Sequence, residues 1–139
     1  EGLQLLHRFR ESDPLDALEP VAGAAELEAA GQACRKVAAS NDILRYMLEI
    51  VEATRSRDDV AVGVSPRGSQ ALLRACQVHA ALRGRDYLIP DDVKAMAVPV
   101  LAHRLSVRSL SRDGDLGARI IQDIVSRQPV PSEANIPVR

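Results

Sequence analysis

The chain has 139 residues, of which 46% are hydrophobic and 2% aromatic, and its 18 basic and 19 acidic side chains leave a net charge of −1. This length allows one domain with a modest core. The balanced charge and the scarcity of aromatic rings argue against a nucleic-acid-binding surface, which usually carries excess Lys and Arg and rings that stack on bases.

The first part of the chain predicts a helix end, a linker and a further helix. Residues 1–22 are expected to hold the end of a helix and a linker, because the residue before Pro14 avoids helical geometry. Over residues 24–38 the apolar positions recur at helical spacing. These positions are Leu27, Ala30, Cys34 and Val37.

Residues 41–56 show the clearest amphipathic pattern, and Ser40 or Asn41 is expected to cap this helix at its N-terminus. One broad stripe of this helix is apolar. It comprises Ile43, Leu44, Met47, Leu48, Ile50 and Val51. Residues 57–64 then form a loop, of which residues 60–63 are expected to be extended.

Residues 66–83 predict a central helix that ends near Gly84, a residue suited to a helix terminus. Its wide apolar area predicts contacts from two sides. The inward positions are Ala71, Leu72, Ala75, Cys76, Val78, His79 and Leu82. The polar edge comprises Arg67, Gln70, Arg74 and Gln77. The following Arg83-Gly84-Arg85-Asp86 segment is expected to be a solvated turn.

Pro90 opens the next predicted helix, whose first turn holds Asp91 and Asp92, as the helix dipole favours. We interpret these acids as a helix start rather than as metal ligands. Pro99 is expected to kink or split this helix. Residues 106–114 are polar and predict a short strand or an irregular loop. Residues 116–127 form the last predicted helix.

The repeated helical period and the many Ala and Leu residues predict an all-α fold, a compact helical bundle with room for one short strand or extended segment. We assign residues 23–128 to this domain and residues 129–139 to a proline-containing tail. Cys34 and Cys76 lie far apart in apolar stripes, which indicates buried free thiols rather than a disulfide or a metal site.

Ser65, Pro66 and Arg67 are the candidate site. Ser65 is a good N-cap whose hydroxyl can accept from a first-turn amide, and Pro66 stands where a missing N–H costs nothing. Arg67 then projects beside a helix N-terminus, whose free amides and dipole favour an anion. Such a guanidinium suits the outer phosphates of a nucleotide.

The segments around this motif resemble the C-terminal lid subdomain of MoxR-type AAA+ ATPases. The resemblance covers residues 53–105. It rests on Gly63-Val64-Ser65-Pro66-Arg67-Gly68, Leu72-Leu73-Arg74-Ala75, Ala80-Ala81-Leu82-Arg83-Gly84-Arg85-Asp86-Tyr87, Pro90-Asp91-Asp92-Val93-Lys94 and Pro99-Val100-Leu101-Ala102-His103-Arg104-Leu105. Ile89 departs from the family, which usually places Thr or Ser there as a cap, a change worth about 1 kcal/mol.

The resemblance implies that Arg67 is the sensor 2 residue, which reaches from the lid to ATP bound with Mg²⁺ in the full-length protein. It also implies a homo-oligomeric ring, a hexamer, that performs chaperone-like maturation of other proteins. Partners with von Willebrand factor A domains are typical of the family. No apolar run is long enough to span a membrane, and a cytoplasmic location is expected.

The sequence contains no G-x-x-x-x-G-K-[ST] loop and no apolar strand followed by paired acids. In the resembling family these parts belong to a preceding α/β subdomain. We therefore expect this chain to be one part of a longer ATPase, with no catalytic residue and no metal site of its own. Alone it is expected to be inactive and to hold no nucleotide tightly.

Two other functions remain open from the sequence. The chain could be a non-enzymatic helical domain that binds other proteins, and Arg67 would then be an ordinary charged residue of the surface. A DNA-binding helical module is the third possibility, and the near-neutral charge counts against it. A Walker A lysine upstream in the full-length protein would separate the ATPase lid from both.

Overall fold

The computed structural model describes residues 18–108 and 116–131, together with Leu3 and Leu15. Within these residues the fold is helical apart from two very short strands, so the prediction of an all-α bundle is confirmed. The helices are α1 (Ala24–Cys34), α2 (Asn41–Ala53), α3 (Pro66–Leu82), α4 (Pro90–Leu101) and α5 (Leu116–Arg127). A single 3₁₀ turn, Ala102–Arg104, follows α4.

The chain divides into two compact units, residues 1–30 and residues 31–139. In the first unit, the Gly23 amide donates to Glu26 Oε2 at 2.7 Å where α1 begins. Helix α1 has no buried residue and ends four residues before the predicted end, at Cys34. The Cys34 thiol, which we expected to be buried, is only partly covered, whereas Cys76 is fully buried.

The core of the second unit lies among α2, α3, α4 and α5. Helix α4 packs against both α3 and α5, and α2 packs chiefly against α3. Aliphatic side chains and one cysteine fill the centre, as the composition requires. Those with no exposed area are Ile50, Val64, Leu72, Cys76, Ala80, Val93, Ala97, Leu101 and Ile121.

The inward face of α3 differs from the predicted one. Val78 and Leu82 are 43% and 82% exposed. Gln77, which was predicted to lie on the polar edge of the helix, is buried. The Gln77 amide Nε2 donates to the carbonyl oxygens of Arg35 and Val37 at 3.2 and 3.0 Å. These bonds satisfy the buried amide, so a polar residue is tolerated in the core of this unit.

Helix α2 shows a similar exchange. Leu48, predicted to be part of the apolar stripe, is half exposed, and Tyr46 is buried in the core instead. Ser40 caps the helix as expected, since its Oγ accepts from the Ile43 amide at 3.3 Å.

Two short strands form an antiparallel pair, β1 (Val60–Val62) and β2 (Ser106–Val107). The extended segment predicted at residues 60–63 is therefore present, and it has a second strand as its partner. Of the polar segment 106–114, residues 106–107 form this strand, and residues 109–115 lie outside the described part of the chain.

Helix α4 continues through Pro99, so the predicted split does not occur. A proline frees the carbonyl of the residue four positions earlier, here Ala95. Both Pro99 and Ala95 lie on the exposed face of the helix, where water can reach this carbonyl.

Candidate functional site

Ser65, Pro66 and Arg67 begin helix α3, as predicted. Ser65 is the N-cap, with extended backbone angles (φ −76°, ψ 164°), and Pro66 occupies the first helical position. The predicted side-chain cap is wrong, because the Ser65 hydroxyl makes no capping hydrogen bond. The Ser65 carbonyl instead accepts from the Gly68 amide at 2.8 Å. Pro66 has no N–H and the Gly68 amide is bonded, so of the first three helical residues only Arg67 keeps a backbone amide without a bond to a described residue.

Arg67 is exposed and, among the described residues, forms no hydrogen bond and no ion pair. Other arginines nearby are engaged: Arg55 binds a backbone carbonyl, and Arg57 pairs with Asp59 and Asp123. A guanidinium without an internal partner at a helix N-terminus can bind an anion with several oxygen atoms.

A second cation lies at this end of α3. The Cδ atom of Arg104 would stand 3.6 Å from a Cβ placed on Gly68, so its stem passes beside the first turn. Arg104 Nε donates to the Val100 carbonyl at 2.9 Å, and the residue is exposed. No sequence pattern indicated this proximity, because residues 68 and 104 come together only where α3 packs near the end of α4.

The backbone just before the motif is held by the end of α2. Val64 is fully buried, and its amide donates to Thr54 Oγ1 at 3.0 Å. Its carbonyl accepts from Arg55 through both Nε and Nη2, at 3.1 and 2.9 Å. Both polar backbone groups of Val64 are thus bound by two consecutive side chains, which no motif in the sequence indicated.

Two glycines permit this close packing. A Cβ on Gly63 would stand 2.6 Å from Arg55 Cγ, and a Cβ on Gly68 would overlap Val64 Cγ1. Neither glycine has a positive φ, so the requirement is for space rather than for backbone freedom. The loop and the first turn of α3 therefore pack directly on α2 and on Val64.

A second polar cluster joins the other end of α3 to α4. Asp92 is 1% exposed and accepts from Arg85 Nη1 and Nη2 at 2.7 and 2.6 Å, from the Ile89 amide at 3.0 Å and from His79 Nδ1 at 2.8 Å. Burial acts to raise the pKa of Asp92, but the hydrogen bonds from Arg85, Ile89 and His79 prevail and lower it to about 2.

Three sequence interpretations change with this cluster. Arg83, Gly84 and Asp86 are exposed, as expected of a solvated turn, but Arg85 is only partly exposed and pairs with the buried Asp92. His79 is mostly buried, as expected, yet it bonds a carboxylate instead of packing only against apolar groups. Asp92 compensates for the apolar cap residue Ile89 by accepting from its amide, which is half of a capping box.

The Asp92 cluster is distant from Arg67. His79 lies twelve residues after Arg67 on α3, which corresponds to about 18 Å along a helix axis. The described residues contain no group of three or more His, Cys, Asp or Glu side chains placed to hold a metal ion. They also include no helix that is long and apolar enough to cross a membrane.

Among protein families, the model of the AAA lid domain matches residues 52–124 of this chain. Among curated proteins, YeaC of Bacillus subtilis is 37% identical over 132 residues, which are 94% of this chain and 41% of YeaC. MoxR of Paracoccus denitrificans is 38% identical over 80 residues, and the chaperone MoxR1 of Mycobacterium tuberculosis is 37% identical over 84 residues.

These relatives are longer than this chain. The matched parts are 24% of the Paracoccus protein and 22% of the Mycobacterium protein, and 48% and 51% of this chain. Among solved structures, a candidate ATPase from Cytophaga hutchinsonii superimposes with a TM-score of 0.78 and 21% identity, over 94% of this chain and 43% of that one. At 21% sequence identity, this similarity shows a shared fold alone.

Proposed function

The chain belongs to the AAA lid domain family, in agreement with its resemblance to the lid of MoxR-type AAA+ proteins, and on this premise we propose that it senses nucleotide for an ATPase. In this proposal the lid is one part of a longer protein that binds and hydrolyses ATP. Arg67 is its sensor 2 residue, and Ser65 and Pro66 present it at the start of α3.

The observation that carries this proposal is the exposed, unpartnered guanidinium of Arg67 at the helix start, within the described residues. An arginine kept for structure would be expected to bind a carboxylate or a carbonyl, as Arg55, Arg57 and Arg85 do. The Arg67 backbone amide and the helix dipole add to the positive potential at this place.

ATP supplies the phosphoryl group, and this chain's residues bind and orient its outer phosphates. Arg67 fits that task because a guanidinium offers several donors in a planar fork that matches phosphate oxygens. The stem of Arg104 brings a second positive charge to the same helix end. The Mg²⁺ ligands and the phosphate loop would belong to the α/β ATPase subdomain of the same protein.

Family membership supports the rest of the proposal. The longer protein would form a homo-oligomeric ring, a hexamer, in the cytoplasm. There it would act as a chaperone that matures other proteins, with von Willebrand factor A-domain proteins as partners.

The test is Arg67→Ala in the full-length protein, with ATP affinity and steady-state hydrolysis as readouts. Removal of one charged contact to phosphate should weaken ATP binding about tenfold, and hydrolysis should fall on the order of 10²-fold. Arg67→Lys keeps the positive charge but loses the planar set of guanidinium donors. Its ATP affinity and hydrolysis should therefore lie between those of Arg67→Ala and of the unmodified protein.

Arg74→Ala is the matched control, because Arg74 is an exposed arginine two turns along the same helix that bonds Gln77. It should leave ATP affinity and hydrolysis close to those of the unmodified protein. Unchanged affinity and hydrolysis in a folded Arg67→Ala protein would exclude the sensor role. The helical interaction domain would then be the better assignment.

A further inference from the structure

We propose that Thr54 and Arg55 are positioning residues that set the place of Arg67 relative to bound nucleotide. This inference rests on the proposed function, because it concerns how the sensing arginine is held. The two residues do not touch the nucleotide in this proposal. They act through Val64, whose backbone they bind on both sides.

The first step is the fixed position of the two side chains. Thr54 is the C-cap of α2 and has no exposed area, and its hydroxyl donates to the Val51 carbonyl at 2.6 Å. Because that bond orients the hydroxyl, its oxygen lone pairs face the Val64 amide, which donates to it at 3.0 Å. Arg55 follows directly and forms a two-pronged bond to the Val64 carbonyl.

The second step is the short link from Val64 to Arg67. Only Ser65 and Pro66 separate the two residues, and the proline ring fixes one backbone angle of that link. The Val64 side chain also fills the space where Gly68 lacks a Cβ, so Val64 contacts the first turn of α3 directly. Any displacement of Val64 would therefore move the first turn of α3.

The third step is the lack of another support for Arg67. Among the described residues it has no hydrogen-bonding partner, so its own side chain contributes nothing to its orientation before nucleotide binds. Its backbone position must therefore come from the packing around it, and misplacement by about 1 Å can cost on the order of 10²-fold in rate. The end of α2 supplies that rigid support through Val64.

The experiment uses Arg55→Met and Thr54→Val in the full-length protein, each alone and combined with Arg67→Ala. Both substitutions keep the approximate size of the side chain and remove its bonds to Val64. Arg45→Met is the matched control, because Arg45 is an exposed arginine of α2 with no partner in the described part of the chain. The readouts are ATP affinity and hydrogen exchange of the peptide covering residues 60–70.

Each single variant should speed exchange in residues 60–70 and weaken ATP binding about threefold to tenfold, whereas Arg45→Met should change neither. In the Arg67→Ala background the same substitutions should cause no further loss of affinity, because their effect passes through Arg67. Arg55→Lys, which retains one donor toward the Val64 carbonyl, should recover part of the loss.

Two results would overturn the inference while leaving the sensor role intact. One is unchanged exchange and affinity in the Thr54 and Arg55 variants. The other is a loss that adds fully to that of Arg67→Ala, which would mean that Thr54 and Arg55 affect ATP binding by a route other than Arg67. If Arg67→Ala alone leaves ATP affinity unchanged, the proposed function fails, and the positioning role fails with it.

Discussion

Arg85 binds the buried carboxylate of Asp92 with both terminal nitrogens, at 2.7 and 2.6 Å. The Arg85 side chain is 20% exposed and that of Asp92 is 1% exposed, so water covers only the arginine side of the pair. His79 and the Ile89 amide bind the same two oxygens. This arrangement joins the end of α3, the turn after it and the start of α4 in one network.

The first prediction concerns loss of this pair. Arg85→Ala should lower the free energy of unfolding by about 3 kcal/mol, because it leaves a carboxylate buried with fewer donors. Chemical denaturation of the chain measures the effect. Lys94→Ala is the control, since Lys94 and Asp91 form an exposed pair at 3.0 Å, and it should cost less than about 1 kcal/mol. Equal losses would contradict the buried character of the Arg85 pair.

The second prediction concerns pH. The pKa of Asp92 is about 2 in the folded chain, against a reference value of 3.8. Its contribution is therefore fully present above the unfolded pKa and is lost as the pH falls from about 4 to about 2. We expect the stability advantage over Asp92→Asn to shrink by about 2 kcal/mol across that window.

Denaturation curves of both proteins at several pH values between 5 and 2 provide the measurement. The comparison with Asp92→Asn matters because Arg57 also lowers the pKa of Asp59 and of Asp123, which adds to the acid sensitivity of both proteins. A difference between the two proteins that stays constant over this range would show that Asp92 does not titrate as the network requires.

The helices, their order and the location of Arg67 could be predicted because each depends on nearby residues. Apolar spacing places α2 to α5, and the Ser-Pro pair marks the start of α3. The bonds from Arg55 to Val64 and from Arg85 to Asp92 span nine and seven residues. Such contacts depend on how helix ends meet, and local periodicity carries no information about that.

The burial of Gln77 and the exposure of Leu82 were missed for a related reason. Spacing predicts which residues share a face but not how that face turns toward the neighbouring helices. Two free carbonyls after α1 can hold the Gln77 amide, and this favours a rotation of α3 that leaves Leu82 in solvent. The missing side-chain cap at Ser65 likewise depends on a rotamer that the sequence does not specify.

The third prediction concerns Tyr46, whose buried hydroxyl has no hydrogen-bonding partner within the described residues. Burial raises the pKa of this phenol. Tyr46→Phe removes a desolvated polar group and keeps the ring, so it should leave the free energy of unfolding unchanged or raise it by about 1 kcal/mol. Denaturation at neutral pH tests this, and a loss above about 1 kcal/mol would reveal a partner for the hydroxyl.

The last prediction compares two helical glycines. An alanine normally stabilises a helix by about 0.5–1 kcal/mol relative to glycine. Gly31 in α1 has no atom within 4 Å of an added Cβ, so Gly31→Ala should be neutral or stabilising. At Gly68 an added Cβ overlaps Val64 Cγ1. Gly68→Ala should therefore destabilise the chain and lower its free energy of unfolding by about 1–3 kcal/mol.

Gly68→Ala also tests whether the packing of Gly68 on Val64 matters for the candidate site. Since Val64 must move to admit the new methyl group, Gly68→Ala should also weaken ATP binding by the full-length protein, whereas Gly31→Ala should not. Denaturation measures the stability of both variants, and a nucleotide titration measures the affinity. A stabilised Gly68→Ala protein with unchanged ATP affinity would contradict both the tight contact with Val64 and its role in placing Arg67.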